Sequence, residues 1–375
     1  MRFNPGLEGV VIGTTDITFI EGGEGRILYR GYNLYDLVQA TFEEVVYLLW
    51  FGDLPTPPQL ADFRKDLVAE RSVPGAVIDI LRQLPKTHAP MEILRTLVST
   101  LSHFDEEVND RSIEARRRKA MRLTSRLPSL VALYSRYRDD QPFIEPDASL
   151  SHAANFLYML RGEVADDEVV RVFDQSLVLQ ADHEMNSSTF AARVIAATLS
   201  DMYSAITGAI GALKGPLQGG ANEGVMAMLL EIEEENRTSS WLQEKLDRRE
   251  RVMGFGHRIY KTVDPRAVEL RKAAEALSRR SGEMKWYRIC RRLEDVMAKE
   301  KGLYPNVDLY SACCYHLMGI PRDLFTPVFA ISRISGWIAH TFEQWSHNRL
   351  IRPEGEYVGP MFREYKPLTE RDTGE

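Results

Sequence analysis

The chain has 375 residues, 44% of them hydrophobic and 27% charged, with a formal net charge of −7. This length exceeds one typical core and predicts a large domain with at least one smaller unit. No stretch approaches the ~18 uninterrupted apolar residues of a membrane span, and the acidic balance argues against nucleic acid as a main partner. Cys290, Cys313 and Cys314 form an odd set without metal-ligand spacing, which suits a reducing compartment. The first residues lack the apolar centre of a signal peptide, so the cytoplasm is the expected location.

In chain order, residues 15–20 and 26–31 are β-prone runs around the glycine-rich turn 21–25 and predict a hairpin, the only strand pair expected. From Thr41 the pattern is helical: Thr41-Phe42-Glu43-Glu44 has capping-box spacing, and its helix ends at Gly52 before Leu54-Pro55. Helices are then expected at 57–70, 74–84, 90–104, 109–138, 148–160 and 165–180, several of them separated by prolines. The basic run 114–119 reads as a solvated face, because no aromatic residues interleave it.

A helical pattern covers Ser187 to Leu213 and stops at 214–222, where Gly215, Pro216, Gly219 and Gly220 surround Gln218. Further helices are expected at 221–236, 239–250, 264–281, 283–301, 307–319 and 325–347. The last residues, 349–375, are rich in proline and glycine and predict an extended arm. No tandem repeat marks a solenoid.

Several constellations could carry chemistry. Met253-Gly254-Phe255-Gly256-His257 leaves backbone amides open to a ligand, and Asp264-Pro265 starts a helix with Arg266 in its first turn. Asn306 caps another helix and places Asp308 in its first turn, where the dipole favours a carboxylate. Asp182-His183-Glu184 has no second His or Cys at suitable spacing, so no metal is expected. Arg333 lies in the apolar run 331–342 and needs a carboxylate, which a small acidic ligand can supply.

Five ordered segments carry a resemblance. They are Ala-Asp-His-Glu-Met-Asn-Ser-Ser-Thr-Phe (181–190), Gly-Pro-Leu-Gln-Gly-Gly-Ala-Asn-Glu (215–223), Gly-Phe-Gly-His-Arg-Ile-Tyr-Lys-Thr-Val-Asp-Pro-Arg (254–266), Pro-Asn-Val-Asp (305–308) and Ile-Ser-Arg-Ile-Ser-Gly-Trp (331–337). Together they resemble the citrate synthase family, in its short bacterial and archaeal type that includes 2-methylcitrate synthases. The resemblance covers nearly the whole chain. It implies an all-α, two-domain helical fold with a short N-terminal β-hairpin. Residues 1–217 and 322–375 would form a large domain, and 218–321 a small one inserted in it, with the site in the cleft between them.

By the same resemblance, the expected reaction is the condensation of acetyl-CoA with oxaloacetate to citrate and CoA, without a permanently bound cofactor. Asp308 matches the general base and His257 the group acting on the oxaloacetate carbonyl. His183 matches the histidine that orients oxaloacetate. Arg266, Arg333 and Arg352 match the arginines holding its carboxylates, Arg352 reaching in from a partner subunit of a homodimer or higher oligomer. Met253, Gly254, Phe255 and Gly256 resemble the loop receiving the CoA adenine, and Lys261 is a candidate for a CoA phosphate. Arg95 is expected in a structural ion pair.

The resemblance breaks at Gln218, where the family pattern has the histidine that stabilises the acetyl-CoA enolate. Glutamine retains an N–H donor but cannot act as an imidazole acid. A weakened synthase is therefore expected. The alternatives are a 2-methylcitrate synthase using propionyl-CoA and a non-catalytic CoA- or oxaloacetate-binding assembly protein.

Overall fold

The computed structural model describes residues 4–257, 259–260 and 262–371; the CoA-phosphate candidate Lys261 lies outside the described residues. The predicted hairpin is present as β1 (Thr18–Glu21) and β2 (Arg26–Tyr29), and a third antiparallel strand, β3 (Tyr32–Asn33), extends it in the order β1-β2-β3. Left-handed Arg30 and Gly31, at φ 48° and 87°, turn the chain back at once and create this extra strand.

The helices are α1 (Leu34–Leu37), α2 (Phe42–Phe51), α3 (Pro57–Ala69), α4 (Gly75–Leu81), α5 (Pro90–Leu101), α6 (Ile113–Arg138), α7 (His152–Arg161) and α8 (Asp167–Gln180). They continue as α9 (Ser187–Ala197), α10 (Met202–Leu213), α11 (Ala221–Ile232), α12 (Thr238–Asp247), α13 (Pro265–Ser281), α14 (Lys285–Lys301), α15 (Val307–Leu317) and α16 (Phe325–Ser346). The Thr41–Glu44 capping box forms and starts α2. Among the described residues, no helix is long and apolar enough to cross a membrane.

Two expectations need correction. The pattern over 187–213 is two helices rather than one: Leu199 turns left-handed at φ 63°, and Asp201 accepts from Ser204 N to start α10. A short polar side chain beside the backbone thus ends one helix and begins the next. The basic run is not simply a solvated face. Lys119 is buried, and its ammonium donates to the carbonyls of Glu107 and Val108 at 2.9 and 3.1 Å, while Arg116 stacks over Trp345. These carbonyls have no helical partner, and the lysine satisfies them.

Helix α16 is the core of the fold, buried along nearly its whole length and packed against α2, α5, α6, α8, α9, α10 and α11. Its small residues let the chain after α8 lie directly against it: Gly336 N donates to Ala181 O at 3.1 Å, and Ser335 Oγ to the same carbonyl at 3.2 Å. Helices α11, α13, α14 and α15 pack on one another, meeting the rest through α8 and α16.

A Cβ on Gly336 would fall inside contact distance of Asp182 Oδ1 and 2.6 Å from Ala181 O. We expect Gly336→Ala to lower stability by about 1–3 kcal/mol or more, measured by urea unfolding; an unchanged midpoint would show that this seam can open without penalty.

Candidate active site

The segment 181–186 links α8 to α9 and is anchored at both ends. Asp182 is fully buried, close to His340 Nε2 on α16 (3.2 Å), and its backbone oxygen accepts from Tyr29 Oη at 2.9 Å. Asn186 caps α9 by accepting from Thr189 N at 3.1 Å. Between these anchors His183 points its Nε2 at Tyr260 Oη, 3.1 Å away, and its ring meets the His257 ring with centroids 5.2 Å apart.

The His257 loop is tied to the segment that carries Asp308. Phe255 bridges Pro305, Gly256 N donates to Tyr304 O at 3.1 Å, and Asn306 N donates to Gly254 O at 2.9 Å. Asn306 also caps α15 by accepting from Asp308 N, while its Nδ2 donates to Gly256 O. Gly254, at φ 83°, is wedged against Leu309 and Val225, so a Cβ there would press on both from a left-handed backbone; Gly256, at φ 76°, has open space where a Cβ would lie. The hairpin turn approaches the same loop, and a Cβ on Gly22 would come within 2.5 Å of Ile259 O. This close approach explains the glycine at position 22.

The tautomer of His257 follows from its neighbours. Its Nδ1 faces the backbone N–H groups of Ile259 and Tyr260, at 3.1 and 3.4 Å, and these can only donate. Nδ1 is therefore the acceptor and the proton sits on Nε2. Burial and then the Arg266 charge push the His257 pKa down to about 4, so the ring is neutral near pH 7. Burial, with help from Arg266, His257 and Arg333, holds His183 well below the usual histidine range.

Arg266 and Asp264 form a buried bidentate pair, Nε to Oδ1 at 3.0 Å and Nη2 to Oδ2 at 2.8 Å. Arg333 is equally buried but makes no ion pair among the described residues; its Nε donates to Gln180 O at 2.8 Å, and the guanidinium lies over Phe329. Burial pushes its pKa down to about 10. Asp308 is half-buried at the start of α15, and burial pushes its carboxyl up to about 7 against the opposing pull of Arg266 and Arg333. Two cations, two neutral imidazoles and one carboxyl of raised pKa thus converge, an arrangement that can bind a small polyanion and move a proton beside it.

Position 218 joins this cluster through Asn186. Gln218 Nε2 donates to Asn186 Oδ1 at 2.9 Å and Ser188 Oγ at 2.7 Å, and Asn186 Nδ2 is 3.4 Å from His183 O. Gly219 is needed beside it, since a Cβ there would lie 2.6 Å from Leu213 O.

Two predicted residues lie elsewhere in this chain. Arg352 is exposed on the C-terminal arm and lines a surface cavity of about 990 Å³ with Asp16, Arg30, Met185, Phe190 and Arg193. Arg95 is exposed on α5 and makes no ion pair among the described residues, contrary to expectation. Sequence reasoning passed over Tyr260 and the pairing role of Asp264. Both sit inside the 254–266 motif, but Asp264 was read only as a helix start.

A family model described as "Citrate synthase, C-terminal domain" matches residues 6–354. The chain is 48% identical over 374 residues to the citrate synthase of Haloferax volcanii, covering 98% of each chain. It is 44% identical over 374 residues to 2-methylcitrate synthase 1 of Corynebacterium glutamicum, again covering 98% of each. Among solved structures, the ternary complex of carboxymethyl coenzyme A and oxaloacetate with the Thermoplasma acidophilum citrate synthase superposes with a TM-score of 0.93 at 36% identity, covering 99% of this chain and 100% of that one. Near-complete coverage in both sequence and structure leaves one assignment: the chain belongs to the citrate synthase family and is an acyltransferase of that family.

Proposed function

We propose that the chain is a citrate synthase condensing acetyl-CoA with oxaloacetate, slowed by Gln218. The observation that carries the reading is the buried, unpaired guanidinium of Arg333 beside Arg266, His183, His257 and Asp308. A buried cation without a carboxylate is costly, and a dicarboxylate substrate removes that penalty.

In this reading Arg333 and Arg266 hold the oxaloacetate carboxylates, with Arg352 supplied by a second copy, and His183 orients the keto acid. Asp308 takes a proton from the acetyl methyl group, and the C–H electron pair becomes the enolate. The enolate carbon attacks the keto carbon while the Nε2 proton of His257 passes to the oxygen that becomes the citrate hydroxyl. Water then cleaves the thioester, forming the new carboxylate and releasing CoA as its thiol. A carboxyl titrating at about 7 is a better base for this task than an ordinary aspartate near ~4. The backbone of Met253–Gly256 receives the CoA adenine and Lys261 a CoA phosphate. Residues 218–321 form the small domain, which closes over the bound substrates and excludes water.

The chain is proposed to act as a homodimer. Its arm exposes large apolar side chains, with Val358 90% and Phe362 96% accessible, which a second copy would cover. The Corynebacterium relative supports a second reading, a 2-methylcitrate synthase. The two acyl groups differ by one methyl, worth only ~1–3 kcal/mol in a pocket.

The decisive assay is thiol release with oxaloacetate and either acetyl- or propionyl-CoA, for the chain and for Gln218→His. We expect acetyl-CoA to be preferred and the histidine to raise turnover by about 10²–10³-fold, the range set by loss of an oxyanion donor. No gain on reversion would remove position 218 from the mechanism, and preference for propionyl-CoA would select the second reading.

The pH dependence has a definite sign. Protonated Asp308 cannot act as base, so log kcat/KM should rise with unit slope up to about pH 7 and then flatten. A rate already flat from pH 5 upward would contradict this assignment.

Sharing of Arg352 can be tested in the Gln218→His background by mixing two inactive variants, Arg352→Ala and Asp308→Asn, under conditions of subunit exchange. A shared site gives hybrid dimers one intact pocket and restores about a quarter of the activity, whereas unshared sites restore none.

A further inference from the structure

We propose that Asn186 and Ser188 are positioning residues which lock the Gln218 amide with its nitrogen facing them, so that position 218 accepts hydrogen bonds at the thioester oxygen and does not donate them. This rests on the citrate synthase reading above, which places position 218 against the acyl group.

The lock follows from fixed donors. Thr189 N–H and Ser188 Oγ–H both donate to Asn186 Oδ1, at 3.1 and 2.7 Å, and Trp337 Nε1–H donates to Ser188 Oγ at 3.0 Å. A backbone amide can only donate, so Asn186 Oδ1 is fixed as an acceptor facing Gln218; the Ser188 hydroxyl, with its proton on Asn186 Oδ1 and Trp337 on one lone pair, keeps its second lone pair for Gln218. The Gln218 atom lying 2.9 and 2.7 Å from them must therefore be the nitrogen. Turning the amide over would set Oε1 against Asn186 Oδ1, two acceptors in contact. Asn186 cannot turn over in compensation without giving up the cap of α9. The remaining group, Gln218 Oε1, is buried and has no partner in the described structure.

An unpaired buried oxygen selects for a donor on the ligand. A thioester or enolate oxygen offers only lone pairs and meets Oε1 unfavourably, whereas an amide N–H2 in the same place satisfies it. The Gln218 site is thus built to hold an acyl-CoA analogue carrying an N–H donor better than one ending in a carboxylate.

The test uses two matched probes, carboxymethyl-CoA and carboxamidomethyl-CoA, bound in the presence of saturating oxaloacetate and measured by calorimetry. Any repulsion between the carboxylate and Asp308 is common to both chains and cancels in the comparison. The ratio of dissociation constants, carboxymethyl over carboxamidomethyl, is expected to be about tenfold or more larger for the Gln218 chain than for Gln218→His. Ser188→Ala, which removes one of the two holding oxygens, should narrow the ratio toward that of Gln218→His. Equal ratios in the Gln218 chain and Gln218→His, with both probes bound, overturn the inference while leaving the synthase reading standing. Failure of either chain to bind any CoA probe with oxaloacetate overturns both. If Ser188→Ala does not fold, the comparison of the Gln218 chain with Gln218→His decides alone.

Discussion

Arg333 places a guanidinium on a helix buried nearly throughout, and its direct contacts are one backbone carbonyl and an aromatic face. Such a group is tolerable only where something else supplies negative charge. Among the neighbours, the buried Asp182 offsets part of the charge without forming an ion pair, while His183 and His257 are held neutral, Asp308 is pushed toward its protonated form, and Asp264 is already committed to Arg266. Carboxylates of a small polyanion paired with this guanidinium would relieve a cost that burial has built in. The same burial that makes Arg333 costly also raises the basicity of Asp308.

Position in this site depends on the seam between α16 and the chain after α8. Ser335 and Gly336 bring the backbone of Ala181 within hydrogen-bonding distance, His340 holds Asp182, and His183 follows immediately. Helix packing thus sets the local backbone from which His183 projects. A second unit, the clip between 254–256 and 304–306, couples the His257 loop to the start of α15. The clip ties His257 and Asp308 to one rigid piece of backbone, so the two side chains keep their relative placement.

Much of this was legible in the sequence where the signal is local. The capping box at Thr41, Asn306 ahead of Asp308, and Asp264-Pro265 ahead of Arg266 each specify a helix start through atoms two or three residues apart. The break at 199–201 escaped notice because the apolar pattern runs on through it. Lys119 was misread for the opposite reason: its partners are carbonyls nine to twelve residues away, which no charge pattern reveals. Tyr260 stood inside a recognised motif, yet its contact with His183 spans 77 residues.

Gln218 shows where the boundary lies. The order of residues along the chain specifies the family motifs, the helix caps, the residue types available for binding and proton transfer, and the one position that departs from the pattern. It could not say which end of the Gln218 amide is engaged, because that depends on packing that brings Gln218 to Asn186, 32 residues away, whose Oδ1 already accepts from Thr189 N–H in the cap of α9. It also left open whether Arg333 would find a carboxylate. Packing settles these points, since burial and the direction of a long-range hydrogen bond are properties of neighbours that are distant in the chain.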